Sequence, residues 1–237
     1  MKRAGRLPET ELPPGEYVAR LRNLLEAHAD EAYAVEMKAY LRNQFEFFGM
    51  RSPERKVIFN DFIGRHGIPG IDGLRDVADI LFEEEEREFQ YFGIEAAGLL
   101  KKSWTPESID LFESMAVRKS WWDSVDYIKS ACLRDYFLRF TELRGEITER
   151  WIDSGNIWLQ RLSVIFQLGY RDRTDRDLLE RNITRLADSS EFFVQKAIGW
   201  ALRDYARTDP EFVLRFVDRN KLKPLSRREA LKRLDRA

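Results

Sequence analysis

The chain has 237 residues, 43% of them hydrophobic, with one cysteine and two histidines. No stretch approaches the ~20 apolar residues that cross a bilayer, and the opening MKRAGRLPETELPPGEY lacks the apolar core of a signal peptide. A soluble, cytoplasmic chain with no membrane partner is expected. Cys132 alone forms no intrachain disulfide, and with His28 and His66 it makes no zinc cluster. The net charge of −1 hides a split: residues 1–117 carry 15 basic and 22 acidic side chains, and 118–237 carry 25 and 19. An anionic partner should therefore meet the C-terminal half.

In chain order, residues 1–13 read as a flexible tail, and 14–237 as one domain with no low-complexity linker. Apolar residues recur at three- and four-residue spacing, and strand-like runs are missing, so the fold class is all-α. Breaks at Pro13-Pro14-Gly15, Ser52-Pro53, Gly64 to Gly73, Thr105-Pro106, Asp153 to Gly155, Asp188 to Ser190, Asp209-Pro210 and Pro224 divide the chain into about a dozen helices. His28 is expected on the first amphipathic helix and His66 in a loop before Gly67, both structural. The acidic run Glu83 to Glu86 reads as the solvated first turn of a helix. No phosphate-cradling GxxxxGK[ST] or GxGxxG motif is present, and no cofactor is expected.

A 35-residue repeat sets the architecture. WIDSGNIWLQRLSVIFQLGY (151–170) overlies LADSSEFFVQKAIGWALRDY (186–205) without a gap, matching Asp153 with Asp188, Ser154 with Ser189, Gln160 with Gln195, Tyr170 with Tyr205, and Arg161 with Lys196. The same shift one step back carries Arg161 to Asp126 and sets SWWDSVD over NIWLQR. A helix-pair period of this length predicts an α-solenoid of HEAT-like pairs whose second helices line a concave face. Asp126, Arg161 and Lys196 then form a row on that face, with solvated surface positions as the alternative.

Helical spacing sorts the tryptophans. Trp122 and Asp126 share a face, while Trp121 is expected in the core with Val125 and Ile128. Lys196, Trp200 and Arg203 fall on one stripe. Core packing is the ordinary fate of a tryptophan. Two indoles beside an acid and bases in repeat register instead suit a nucleic-acid surface, where rings meet bases or a cation and Arg and Lys hold phosphates. An acid there repels DNA unless positive charge develops on the substrate. Lys221, Lys223, Arg227, Arg228, Lys232 and Arg233 form a basic cluster around a helix beginning after Pro224, read either as ordinary solvation or as a backbone contact.

The segments SWWDSVD (120–126), NIWLQR (156–161), EFFVQKAIGWALR (191–203) and PLSRREALKRL (224–234), with SPERK (52–56), closely resemble the AlkD-type DNA alkylation repair glycosylases, over about Tyr40 to Leu234. The resemblance implies excision of N3- and N7-alkylated purines such as 3-methyladenine and 7-methylguanine from double-stranded DNA, as the first step of base excision repair by a monomer associated with the nucleoid. It makes Asp126 the catalytic aspartate, Trp122 and Trp200 the indoles that contact the lesion-bearing nucleotide, and Arg161 the holder of a backbone phosphate near the lesion. Tyr40 matches an aromatic of the same cleft. Lys196, Arg203, Arg227 and Arg228 are added as DNA-binding cations.

The chemistry agrees with that resemblance. A base alkylated at N7 or N3 is cationic and leaves without a general acid, so the requirement is a carboxylate facing the oxocarbenium-like sugar. No lysine in the matching positions is placed as a Schiff-base nucleophile, so the enzyme is expected to be monofunctional. A non-catalytic HEAT-like module for branched or distorted DNA would use the same cations without needing Asp126. A protein-scaffolding solenoid would show an apolar groove and no charged row.

Overall fold

A computed structural model describes residues 8–232 and Leu234. Among these residues the protein is all-α, with two isolated β-bridges and no strand. The backbone groups into two compact units, Met1–Leu111 and Phe112–Ala237, where the sequence reads as one domain. The boundary lies close to the point at which the net charge changes sign.

The first unit contains α1 (Pro14–Glu26), α2 (Glu31–Tyr40), α3 (Ser52–His66), α4 (Ile71–Leu81) and α5 (Arg87–Leu99), and α6 (Ser108–Val117) begins at its end. Pro14 and Pro53 open α1 and α3, where the missing N–H costs nothing. The Asp30 carboxylate caps α2 by accepting from the Tyr33 amide at 3.0 Å. The core is an edge-to-face aromatic set: Tyr17 on Phe62 at 5.0 Å, Phe59 on Phe92 at 5.0 Å and Phe62 on Phe92 at 5.6 Å. The fully buried Glu88 accepts the amides of Phe48, Gly49 and Met50 at 3.1–3.3 Å, fixing the loop before α3. Gly49 has φ +93°, and a Cβ there would lie 2.0 Å from the Asp30 carbonyl oxygen, so no other residue fits.

Several expectations change in this unit. The tail is engaged from residue 8 on: Ile68 donates to the Pro8 carbonyl at 2.8 Å and Thr10 to the Ile68 carbonyl at 3.1 Å, while residues 1–7 lie outside the described residues. Glu83 to Glu86 precede α5 rather than open it, with Glu86 as its N-cap, and Arg22 pairs with Glu84 and, at 3.4 Å, with Glu86. His28 lies just past α1, with Nδ1 at 2.8 Å from the Leu24 carbonyl oxygen; His66 is the last residue of α3, its ring 4.8 Å from that of Phe62.

The second unit is built from helix pairs. α7 (Trp122–Ile128) runs through a π turn over Lys129–Leu133 into α8 (Arg134–Arg139). Then follow α9 (Arg144–Asp153), α10 (Ile157–Ile165), α11 (Arg176–Leu186), α12 (Phe192–Tyr205), α13 (Pro210–Arg219) and α14 (Pro224–Leu231). α9 packs on α10 and α11, and α10 packs on both α7 and α12, the neighbour-to-neighbour stacking of an α-solenoid. Matched positions of the repeat do matched work. Ser154 and Ser189 each accept a backbone amide two residues on, from Asn156 at 3.1 Å and Glu191 at 3.3 Å. Gln160 and Gln195 each reach back to a carbonyl at the end of the preceding turn, Ile152 and Ser189, at 3.1 Å. α14 lies very close to α12 at Gly199, where a Cβ would meet Glu229 Cβ at 2.4 Å.

Candidate active site

The site lies in the second unit, where α7, α10 and α12 stand side by side. Trp121 is the N-cap of α7, with extended backbone at φ −154° and ψ 165°. Helical angles therefore do not apply to it, and the expectation that it joins the core with Val125 and Ile128 fails. Those two are fully buried, whereas Trp121 is half-buried in an aromatic cluster, 5.8 Å from the Trp158 ring and 5.1 Å from that of Phe193. Trp122 is half-buried one turn before Asp126. Because Val125 and Ile128 hold α7 to the core, Asp126 stands on the other side of the helix, its side chain 20% exposed.

Asn156 caps α10 by accepting the Trp158 and Leu159 amides at 2.9 and 3.2 Å, which starts the helix so that Arg161 projects towards α7. Arg161 Nε donates to Asp126 Oδ1 at 2.9 Å and Nη2 donates to Oδ2 at 2.8 Å, a bidentate pair; Nη1 donates to the Phe193 carbonyl at 2.9 Å. Two residues 35 apart in sequence, equivalent in the repeat, thus meet as the row on neighbouring second helices requires. The arginine side chain is only 5% exposed. Three of its five N–H groups are given to Asp126 and the Phe193 carbonyl.

Trp200, on α12, is half-buried and completes the cluster, with Arg161 Cζ 5.8 Å and Lys129 Nζ 5.5 Å from its ring centroid. The protein's own cations therefore stand at this ring. Lys129, absent from the sequence expectations, lies one helical turn after Asp126, a spacing that could have identified it. Burial pushes its pKa below the ordinary lysine value; Asp126 and Asp204 work against that, and Arg134 and Arg161 add to it.

The remaining expected cations divide. Lys196 and Arg203, on α12, both turn to Glu229 of α14, at 3.1 and 2.5 Å, so the stripe they share with Trp200 is a tie between helices. For Glu229, burial favours the neutral acid, but the hydrogen bonds and charges of Arg203 and Lys196 outweigh it and hold the carboxyl below its ordinary pKa. No sequence signal marked Glu229, because its role depends on the approach of α14 to Gly199. Arg227 and Arg228 are exposed on α14; Arg227 also donates to the Val217 carbonyl at 2.8 Å and to Asp218 at 3.2 Å. Arg233 lies outside the described residues. Tyr40 ends α2 in the first unit and is 72% exposed.

An all-α chain of stacked helix pairs, with an acid–arginine pair beside two indoles in its second unit, defines a helical repeat protein with a charged centre. Its family follows from comparison: the chain belongs to the DNA alkylation repair enzyme family, whose model matches residues 21–234. It is similar to the solved structure of a predicted DNA alkylation repair enzyme from Enterococcus faecalis, with 30% sequence identity and a TM-score of 0.81, over 88% of this chain and 98% of that one. Among curated proteins no match is found. Among the described residues, no helix is long and apolar enough to cross a membrane.

Proposed function

We propose that the protein is a monofunctional DNA glycosylase that hydrolyses the N-glycosidic bond of cationic N3- and N7-alkylated purines in double-stranded DNA. The observation that carries this reading is the Asp126–Arg161 pair, in which the carboxylate is the more exposed member and lies within one helical turn of Trp122. A substrate arriving from solvent meets the acid first, with the arginine behind it. As the glycosidic bond opens, Asp126 faces the developing positive charge on the sugar, and the departing base, already cationic, needs no proton. The bidentate pair orients the carboxylate before the substrate arrives. The C1′–N electron pair leaves with the base and neutralises it; water then adds to C1′ on the face that Asp126 holds and loses a proton to solvent, and the abasic sugar remains in the strand.

A second reading rests on the same pair. A bidentate ion pair with a buried arginine ties α7 to α10 whether or not a reaction follows, and a non-catalytic module for distorted DNA would keep it for that reason. The two separate in one assay: the intact protein is incubated with duplex DNA carrying 7-methylguanine, and free base is measured. Release by the wild-type protein that Asp126→Asn abolishes supports the glycosylase; binding without release supports the module.

A further inference from the structure

The charges around Trp200 do not balance. Both carboxylate oxygens of Asp126 are taken by Arg161, and Lys129 adds a further positive charge that forms no ion pair among the described residues and stands 5.5 Å from the Trp200 ring centroid. A half-buried ammonium without an ion-pair partner bears a desolvation cost that a bound anion lowers. The charged groups that act on it come from four elements: Asp126 on α7, Arg134 on α8, Arg161 on α10 and Asp204 on α12, two acids and two bases.

We propose that Lys129 binds a backbone phosphate of duplex DNA beside the nucleotide that faces Asp126. The inference rests on the DNA-repair reading above, and it moves to Lys129 the phosphate contact that family resemblance gives to Arg161. Three observations support it. The Arg161 side chain is only 5% exposed, and its Nε–H and one N–H each of Nη2 and Nη1 are given to Asp126 and the Phe193 carbonyl. Lys129 follows Asp126 by three residues, so both stand on one side of the same helix. Lys196 and Arg203 are held by Glu229, which leaves Lys129 as the cation of this cluster without a carboxylate of its own.

The test measures binding of duplex DNA, unmodified and carrying 7-methylguanine, across a salt series for the wild type, Lys129→Met, Lys129→Arg and Arg161→Gln. One phosphate contact contributes about 0.9 to the slope of log affinity against log salt, or about eightfold at ~0.1 M salt relative to 1 M. Lys129→Met keeps the stem on Trp200 and removes the charge. It is expected to weaken both duplexes alike by about that factor and to flatten the slope by about one unit. Lys129→Arg should restore both, and Arg161→Gln should keep the wild-type slope. Wild-type affinity should also fall as pH rises through the titration of Lys129, since only the ammonium binds phosphate, and Lys129→Arg should remove that fall. An unchanged slope in Lys129→Met, with a unit lost in Arg161→Gln, overturns the assignment and returns the contact to Arg161. Wild-type protein that binds no duplex overturns the DNA reading itself, and this assignment with it.

Discussion

Replacing Asp126 by Asn, alone and together with Arg161→Gln, separates the chemical role of the acid from its structural one. At ~4 Å and an effective dielectric of about 20, the carboxylate stabilises a unit charge on the sugar by about 4 kcal/mol. Arg161, behind the carboxylate at roughly 8 Å from the sugar, opposes this by about 2 kcal/mol. The intact pair therefore supplies a net of about 2 kcal/mol, or about thirtyfold in rate. Asp126→Asn loses the full 4 kcal/mol, because the arginine's repulsion is left behind, and release of 7-methylguanine should fall about a thousandfold. The double variant removes both charges and should fall only about thirtyfold. Stability should follow the same order. The single variant leaves a buried guanidinium without its anion, at a cost of about 3 kcal/mol, or about 6–12 °C in melting temperature for a chain of this size. The double variant should recover much of that. The assay is single-turnover release of free base, with thermal melts on the same samples so that only folded protein is compared. Equal losses in the two variants, or release by folded Asp126→Asn at the wild-type rate, would refute the charge argument.

Further outcomes are expected. Gly199→Ala should push α14 off α12, since the new Cβ meets Glu229 Cβ at 2.4 Å, and destabilise the second unit by about 1–3 kcal/mol, read as a lowered melting temperature. Because the folded Glu229 carboxyl lies below its ordinary pKa, its contribution is present above about pH 4.3 and is lost as pH falls through the folded value. Glu229→Gln should then lower stability at neutral pH and make the acid limb of a stability–pH profile shallower. On the substrate side, neutral lesions such as uracil or hypoxanthine should be released poorly and cationic 7-methylguanine and 3-methyladenine well; comparable uracil release by the wild type would show that the enzyme protonates its leaving group. Replacing Trp122 and Trp200 together by Leu should shrink the preference for cationic bases about ten- to a hundredfold, measured as a ratio of release rates.

The repeat made the central contact legible. Asp126 and Arg161 meet because residues one repeat apart on second helices become neighbours, a consequence of stacking that needs no knowledge of side-chain torsions. The same frame did not reveal that Lys196 and Arg203 pair with Glu229, because the solenoid rule describes what lies beside a helix and not what lies across it, and Glu229 comes from an α14 whose approach depends on one missing Cβ. Trp121 was misplaced for a local reason: a helical wheel assumes helical backbone, and the residue before Trp122 is extended. Glu83 to Glu86 show a similar limit, since Arg22, which pairs with Glu84 and Glu86, lies roughly sixty residues earlier.

The order of burial within the ion pair decides whether the centre suits a cationic reaction. Had the aspartate been the buried member, an approaching sugar would meet a guanidinium, and the net interaction at the same distances would be repulsive by about 2 kcal/mol. With Arg161 at 5% and Asp126 at 20% exposure, the sign is favourable, and the bidentate geometry fixes the carboxylate from behind. A lysine in place of Arg161 would reverse that advantage. Its point charge holds one oxygen and not two, and its flexible stem lets the carboxylate turn. Arg161→Lys should therefore keep the charge arithmetic and lose the orientation, lowering the release rate while the melting temperature falls less than in Asp126→Asn. Such a split, measured on the same preparation, would show that the arginine acts by geometry; full activity in Arg161→Lys would show that only its charge matters.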